Sequence, residues 1–351
     1  MSNKSTDKIH GRGAQFNPAN RFDKFQKDEG FIHEDNTTKF IPTFPKALVN
    51  KVESPDIPFM FSMNPYQGCE HGCVYCYARN THPYWGYSAG LEFEQNILIK
   101  KDAPKLLRQY FNKRGYQPNP IMLSGNTDCY QPAEQKFKLT RQLLEICLEY
   151  RHPVSLITKN ALITRDIDIL SKLAIENLTC VVISITTLDE KLRLQLEPRT
   201  STASKRMSAV KELADHNIPV SVMMAPVIPG LTLQEIFPLV KKSLEHKAYD
   251  VYYSMLRLNG DVEPIFKDWL QKTYPDKYEK IIHQTEEIHG GSVSDHRFQK
   301  RMKGEGTFAE NIHLQFKMAK KKYGMPRMRM PVLDCSKFQV PGSQLSLVFD
   351  L

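Results

Sequence analysis

The chain has 351 residues, 41% hydrophobic and 25% charged, which is ample for one large α/β domain with appendages. It holds no apolar run of the roughly 18 residues a membrane span needs, and its first residues are polar and charged rather than leader-like, so a soluble, cytoplasmic protein without membrane contact is expected. The net charge is +9, and the seven cysteines, an odd number with three in one short stretch, argue for reduced thiols and against a disulfide framework.

Residues 1–57 carry scattered charges, Gly, Asn and Pro with weak periodicity. Gly11-Arg12-Gly13-Ala14 and Asn17-Pro18-Ala19-Asn20 read as an extended N-terminal arm. From Pro58 the pattern changes. Short runs rich in β-branched residues alternate with segments of helical period over 58–259, which signals repeated βα units and a parallel sheet. The spacing predicts strands at Phe59–Pro65, Ile121–Ser124, Val154–Thr158, Thr179–Thr186, Pro219–Ala225 and Val251–Met255. The clearest helices between them are Glu134–Tyr150, Arg165–Ile175, Ser201–His216 and Leu233–His246. Residues 260–340 turn helical and basic, and 341–351 form a loop-like tail.

Directly after the first strand comes Asn64-Pro65-Tyr66-Gln67-Gly68-Cys69-Glu70-His71-Gly72-Cys73-Val74-Tyr75-Cys76-Tyr77-Ala78-Arg79. Three thiolates in one tight loop hold a metal or a cluster, and the next cysteine, Cys129, is far along the chain. Iron–sulfur cubanes normally take four cysteines. Three would leave one iron open to a small molecule, which favours a reactive site over a passive staple. The competing reading is a structural zinc site. It needs a fourth ligand, and only His71 and His82 lie nearby.

The Cys-x3-Cys-x-Tyr-Cys pattern of Cys69, Cys73, Tyr75 and Cys76 resembles the cluster loop of the radical S-adenosylmethionine (SAM) superfamily. What the resemblance implies is a [4Fe-4S] cluster on the three cysteines, with the open iron chelating the methionyl amino and carboxylate groups of SAM. One electron, from a donor such as flavodoxin or ferredoxin, would then cleave the sulfonium to a 5′-deoxyadenosyl radical that abstracts hydrogen. The implied fold is an open (β/α)6 partial TIM barrel with a basic helical C-terminal extension, and its reactive groups sit at the C-terminal strand ends. The family's aromatic before the third cysteine packs near the adenine, a role that falls on Tyr75.

Within that frame other strand ends acquire roles. Ser124, Gly125, Asn126, Thr127 and Asp128 follow the second strand, where small and hydroxyl residues let carbonyls approach the SAM ammonium. They depart from the superfamily's Gly-Gly-Glu, and the same residues also suit a helix N-cap. Lys159 ends the third strand and can pair with the SAM carboxylate, although a lone turn lysine is usually only solvated. Ser184 and Thr186 end the fourth strand and face the ribose hydroxyls. Arg199, in Glu197-Pro198-Arg199, offers a planar fork for a carboxylate, or a plain surface ion pair. Ile228, on the uncharged segment from Met224 to Thr232, suits an adenine shelf, as it would a buried strand end.

Thr127-Asp128, Tyr130-Gln131-Pro132, Thr158-Lys159-Asn160 and Glu197-Pro198-Arg199-Thr200, taken with the cysteine loop, resemble the photolyase-like branch that includes spore photoproduct lyase. An uncharacterised bacterial radical SAM family resembles the chain over essentially its full length, from Gly11-Arg12-Gly13 to Pro331-Val332-Leu333-Asp334-Cys335. That branch implies Cys129 as a hydrogen donor to the product radical and Tyr77 as a relay. The plainer reading makes Cys129 a small buried filler. Between Arg297 and Met330 ten Lys/Arg face only Glu305 and Glu310, interleaved with Phe, Tyr and Met, a pattern suited to nucleic acid as well as to a solvated helix. Gln344-Leu345-Ser346-Leu347-Val348-Phe349 resembles the peptide by which repair proteins dock on the bacterial sliding clamp, which favours DNA. The leading expectation is radical SAM repair or modification of damaged bases in DNA. Modification of RNA or a peptide is the second, and a non-catalytic iron–sulfur or zinc module that binds nucleic acid is the third.

Overall fold

The computed structural model describes residues 8–22, 36–326 and 330–342. Among these the strands are β1 (Lys39–Thr43), β2 (Val49–Lys51), β3 (Phe61–Met63), β4 (Tyr66–Gln67), β5 (Asn96–Lys100), β6 (Ile121–Leu123), β7 (Val154–Thr158), β8 (Thr179–Ser184), β9 (Val220–Val227) and β10 (Val251–Met255). In the larger sheet β3, β6, β7, β8, β9 and β10 run parallel in that spatial order, and β2 lies antiparallel at the β3 edge. Six parallel strands in an open row bear out the expected (β/α)6 partial barrel. Central strands read as near-continuous apolar runs because both faces are covered: in β8 five of six residues are buried.

The helices are α1 (Leu91–Gln95), α2 (Ala103–Phe111), α3 (Ala133–Phe137), α4 (Leu139–Glu149), α5 (Ile167–Ile175), α6 (Glu190–Leu196), α7 (Ala203–Asp215), α8 (Ile236–Glu245), α9 (Val262–Thr273), α10 (Tyr278–Ile288) and α11 (Gly306–Tyr323). One helix was expected over Glu134–Tyr150, but the chain breaks at Lys138, which takes a left-handed φ of 51°. The reason is Glu134. Its buried carboxylate turns back to accept from the backbone N–H of Thr140 at 2.9 Å, at the head of α4, so it acts as a cap where periodicity made it a helix-face residue. At α7 the expected start shifts by two residues because the Thr202 hydroxyl caps the Lys205 N–H at 3.2 Å.

The N-terminal segment is more integrated than an extended arm. β1 pairs with β5, and β4 completes a second, three-stranded sheet. Hydrophobic period did not mark these strands, since Lys39–Thr43 is exposed or half-buried throughout, without a clear apolar face. At the other end α11 lays Ala309, Ile312, Phe316 and Ala319 into the core. Residues 330–342 return along the N-terminal ends of the strands, where the Gln339 N–H donates to the Tyr150 carbonyl at 3.0 Å and Asp334 N–H to that of Asn177 at 3.0 Å.

Candidate active site

The cysteine loop leaves β3 and β4 at the C-terminal end of the sheet and is held from several sides. Gly68 and Gly72 have φ of 78° and 67°, a region that glycine enters without steric cost. Gly13 must also be glycine, because a Cβ there would stand 1.7 Å from the Gly72 carbonyl oxygen. The buried Arg79 guanidinium donates to the carbonyls of Cys73 (3.0 Å) and Gly90 (2.9 Å) and pairs with the buried Glu94. Glu94 in turn accepts from the N–H groups of Gly13 (3.0 Å) and Ala14 (2.8 Å), and Arg12 donates to the Glu94 carbonyl at 2.7 Å. Gln131, after β6, donates to the Gly68 carbonyl and accepts from the Glu70 N–H, both at 3.0 Å.

Cys69, Cys73 and Cys76 are free thiols, the first two buried. Burial, then Asp128 and the other two thiols, push Cys69 well up; burial and the charges of Glu197 and Cys76 raise Cys73 against the pull of Lys159. Three mutually repelling thiolates out of water need a positively charged group among them. Among the described residues no three His, Cys, Asp or Glu side chains gather round one point for a single ion, whereas a cubane asks for one thiolate at each of three irons. The donor set fits an iron–sulfur cluster.

Around this loop the other strand ends converge. After β6, Ser124 (φ 73°) accepts the Cys129 N–H at 2.8 Å, and the Gly125 carbonyl accepts from the Tyr77 hydroxyl at 2.8 Å. Asn126 donates to Gln67 at 3.1 Å, and Thr127 to the Tyr66 carbonyl at 2.7 Å. Burial opposes the charge of Asp128. Even so, His71, whose Nδ1 lies 3.4 Å away, with the Lys159 N–H and Thr158 hydroxyl at 2.7 Å each, brings its pKa down to about 2. The Lys159 ammonium lies 5.8 Å from the Tyr75 ring centre; burial works against its charge, but Cys73, Glu197, Cys76 and Asp128 together raise its pKa.

A second buried network sits behind Tyr75. Its hydroxyl bonds Thr186 (3.0 Å) and Glu197, Thr186 bonds Glu197 at 2.7 Å, and Glu197 pairs with Arg206 at 2.7 Å. Burial would raise the Glu197 carboxyl, yet Arg206, Lys159 and the two hydroxyls bring it down to about 2. Arg206 also donates to the Ser184 carbonyl at 2.8 Å. Thr186 is thus already shared among protein partners, and it orients Tyr75. Ile228 is fully buried beside Thr232. Arg199 is exposed, 3.6 Å from Glu70 and 3.2 Å from the Thr38 hydroxyl.

The sequence-derived residues therefore lie on one rim, with different surroundings. Tyr77 is 53% exposed there, whereas Cys129 is 0% exposed within the core, its thiol raised by burial. A hydrogen donor has to meet the substrate radical, so the donor role of Cys129 is not carried into the function proposed below. Glu94, Gln131, Glu197, Arg206 and Arg257 received no role from the sequence. The Gly11-Arg12-Gly13 and Glu197-Pro198-Arg199 motifs were the signals available for two of their contacts. The basic segment divides: Arg297 and Lys300 pair with Glu305, Arg301 with Asp56 and Lys320 with Asp250. Arg327, Arg329 and the peptide 344–349 lie outside the described residues.

Residues 63–242 match the family model described as the radical SAM superfamily. An uncharacterized protein of Methanocaldococcus jannaschii is 30% identical over 241 residues, 68% of this chain and 85% of that one. One of Mycobacterium tuberculosis (strain H37Rv) is 29% identical over 234 residues, 66% and 69% of the two chains. Spore photoproduct lyase with bound AdoMet and dinucleoside spore photoproduct shares the fold at a TM-score of 0.59 and 14% identity, over 81% of this chain and 79% of that one. The chain belongs to the radical SAM superfamily. It is an enzyme of that class, whose cofactors are SAM and a [4Fe-4S] cluster. Among the described residues no helix is long and apolar enough to cross a membrane.

Proposed function

We propose that this radical SAM enzyme acts on DNA, reversing or modifying damaged bases. The observation that carries the reading is the fold shared over 81% of the chain with spore photoproduct lyase, a protein seen with a dinucleoside photoproduct bound. The net charge of +9 is in keeping with a polyanionic substrate. When bound, the cluster and SAM supply a 5′-deoxyadenosyl radical for hydrogen abstraction.

The chain's own residues bind, orient and exclude water. Cys69, Cys73 and Cys76 hold the cluster. Arg79, Glu94 and the Gly13–Ala14 backbone fix the loop that carries them. The Lys159 ammonium, kept charged by its neighbours, receives the SAM carboxylate, and the turn Ser124–Asp128 receives the amino group. Tyr75, locked by Thr186 and Glu197, forms one wall, Ile228 packs in the same apolar cluster behind it, and Ser184 and Arg199 flank the remaining polar edge. Tyr77, on the open side, meets the substrate. The peptide 344–349 docks the enzyme on the sliding clamp, and Gln344→Ala with Phe349→Ala should abolish capture of the clamp by the full-length protein.

The test is anaerobic turnover of reconstituted enzyme with SAM, reductant and either ultraviolet-irradiated DNA, intact DNA or RNA. Damaged DNA should raise 5′-deoxyadenosine release and change the nucleoside digest read by mass spectrometry. Stimulation by RNA alone would overturn the DNA assignment.

A further inference from the structure

At the C-terminal end of β10, next to the cysteine loop, lies a cavity of about 300 Å³ lined by Arg21, Tyr77, Asn80, Arg257, His296 and Arg301 among others. No carboxylate is among its lining residues. The three arginines differ in how far they are satisfied. Arg301 donates to Asp56 and to Ser54 and lies 4.5 Å from the Phe298 ring centre. Arg21 donates to the Asn80 carbonyl at 3.3 Å and lies 5.0 Å from the Phe22 ring centre, with no ion pair to a described residue. The Arg257 side chain forms no ion pair with a described residue, and its Nη1 is buried without a hydrogen-bond partner.

A partly buried guanidinium with an unpartnered Nη1 is costly, because the water lost there is not replaced by a hydrogen bond. Burial first, and then the neighbouring Arg301, accordingly work against the charge of Arg257, and Tyr77, Asp56 and Asp295 only partly offset them. An anion in the cavity would remove that cost and satisfy the planar fork with two parallel hydrogen bonds. The place matters as much as the charge. Tyr77 lines the cavity, follows Cys76 directly, and bonds the Gly125 carbonyl on the loop after β6. An anion seated by Arg257 therefore stands beside the residues that hold the cofactors. A volume near the lower end for ligand sites admits one nucleotide and excludes a duplex.

We propose that this cavity is a phosphate subsite, in which Arg257, supported by Arg21 and Arg301, seats one phosphodiester of an unpaired nucleotide and delivers its base to Tyr77 and the cysteine loop. The proposal rests on the nucleic-acid reading above and gives it a contact point. It makes the guanidinium a substrate anchor, and it leaves cluster assembly and SAM binding independent of Arg257.

The test uses the reconstituted holoenzyme and a fluorescein-labelled single-stranded hexadeoxynucleotide, compared with the same oligonucleotide carrying uncharged methylphosphonate linkages. By anisotropy the wild type should bind the charged probe at least about tenfold tighter. Arg257→Gln should erase most of that preference, Arg257→Lys should restore part of it, and both should keep wild-type iron content and SAM binding. Equal binding of the two probes by the wild type overturns the subsite without recourse to any variant. If Arg257→Gln binds the charged probe as the wild type does, the subsite falls while the nucleic-acid reading stands. If neither probe binds and an acidic peptide does, both fall.

Discussion

The two ends of the parallel sheet are made from opposite materials. At the C-terminal ends of the strands, Asp128, Lys159, Glu197 and Arg206 are carried out of water and balanced by one another, while the partly buried Arg257 leaves its Nη1 without a partner among the described residues. At the N-terminal ends, Phe111, Tyr116, Tyr150, His152 and Phe338 pack ring on ring, with Phe111 and His152 stacked at 4.2 Å and 18°. Aromatic pairs of this kind contribute roughly 0.5–1.5 kcal/mol each beyond their buried area. Buried ion pairs often contribute little net stability, while losing one partner is severe. The difference teaches where each property resides: the aromatic end can hold helices and strands together while the charged end is spent on chemistry.

The sharpest way to break this division is at the charged end. Arg206→Met leaves Glu197 buried without its countercharge, a loss of about 3–5 kcal/mol in unfolding free energy. Because Glu197 also fixes Tyr75, the variant should retain less iron after reconstitution. Adding Glu197→Gln removes the stranded charge, so urea unfolding should find the double variant more stable than Arg206→Met alone. A double variant as unstable as the single one would show that the pair is not coupled in this way.

The sequence made much of this division visible, for identifiable reasons. Val154–Thr158 and Val251–Met255 were placed to the residue, the first as a largely buried run of a central strand and the second, a half-buried edge strand, from its β-favouring Val and Tyr residues. The three cysteines were legible because their spacing is itself the chemistry. The placement of Asp128 and Lys159 just beyond strand ends was legible from position alone. What stayed hidden depends on contacts across long separations. Glu94 meets Gly13 and Ala14 some eighty residues away, and no local pattern announces a carboxylate that clamps a distant loop. Arg257 was equally silent, because its meaning lies in partners it lacks. Glu134 misled, since a glutamate at helical period looks alike on a helix face and at the cap of the next helix.

At the aromatic end a smaller change should touch stability alone. Phe338 packs its ring 5.3 Å from Tyr116 and 5.6 Å from His152, but is only half-buried. Phe338→Ala should therefore cost about 2–3 kcal/mol, below the range for a fully enclosed phenylalanine. 5′-Deoxyadenosine release per folded enzyme should stay at the wild-type rate. A large fall in that rate would show that the two ends are not independent.

The finest probe of the aromatic end is proton uptake by His152. Its Nε2 meets the Tyr116 hydroxyl at 2.8 Å and its Nδ1 the Pro153 carbonyl at 3.0 Å, partners that suit a neutral ring. Burial lowers its pKa from 6.5 to about 3, with the Pro153 carbonyl pulling weakly the other way. Below pH 6.5 the unfolded chain takes up a proton that the folded ring refuses until near pH 3. The ring's contribution is thus whole above pH 6.5 and shrinks as pH falls, by about 2 kcal/mol at pH 5. His152→Gln keeps an acceptor for Tyr116 and cannot titrate. Urea unfolding at pH 7 and pH 5 should show the wild type losing about 2 kcal/mol more than the variant over that interval. Parallel losses in the two proteins would mean that His152 takes up its proton in the folded state as readily as in the unfolded one, and the aromatic end would then be less dry than its packing indicates.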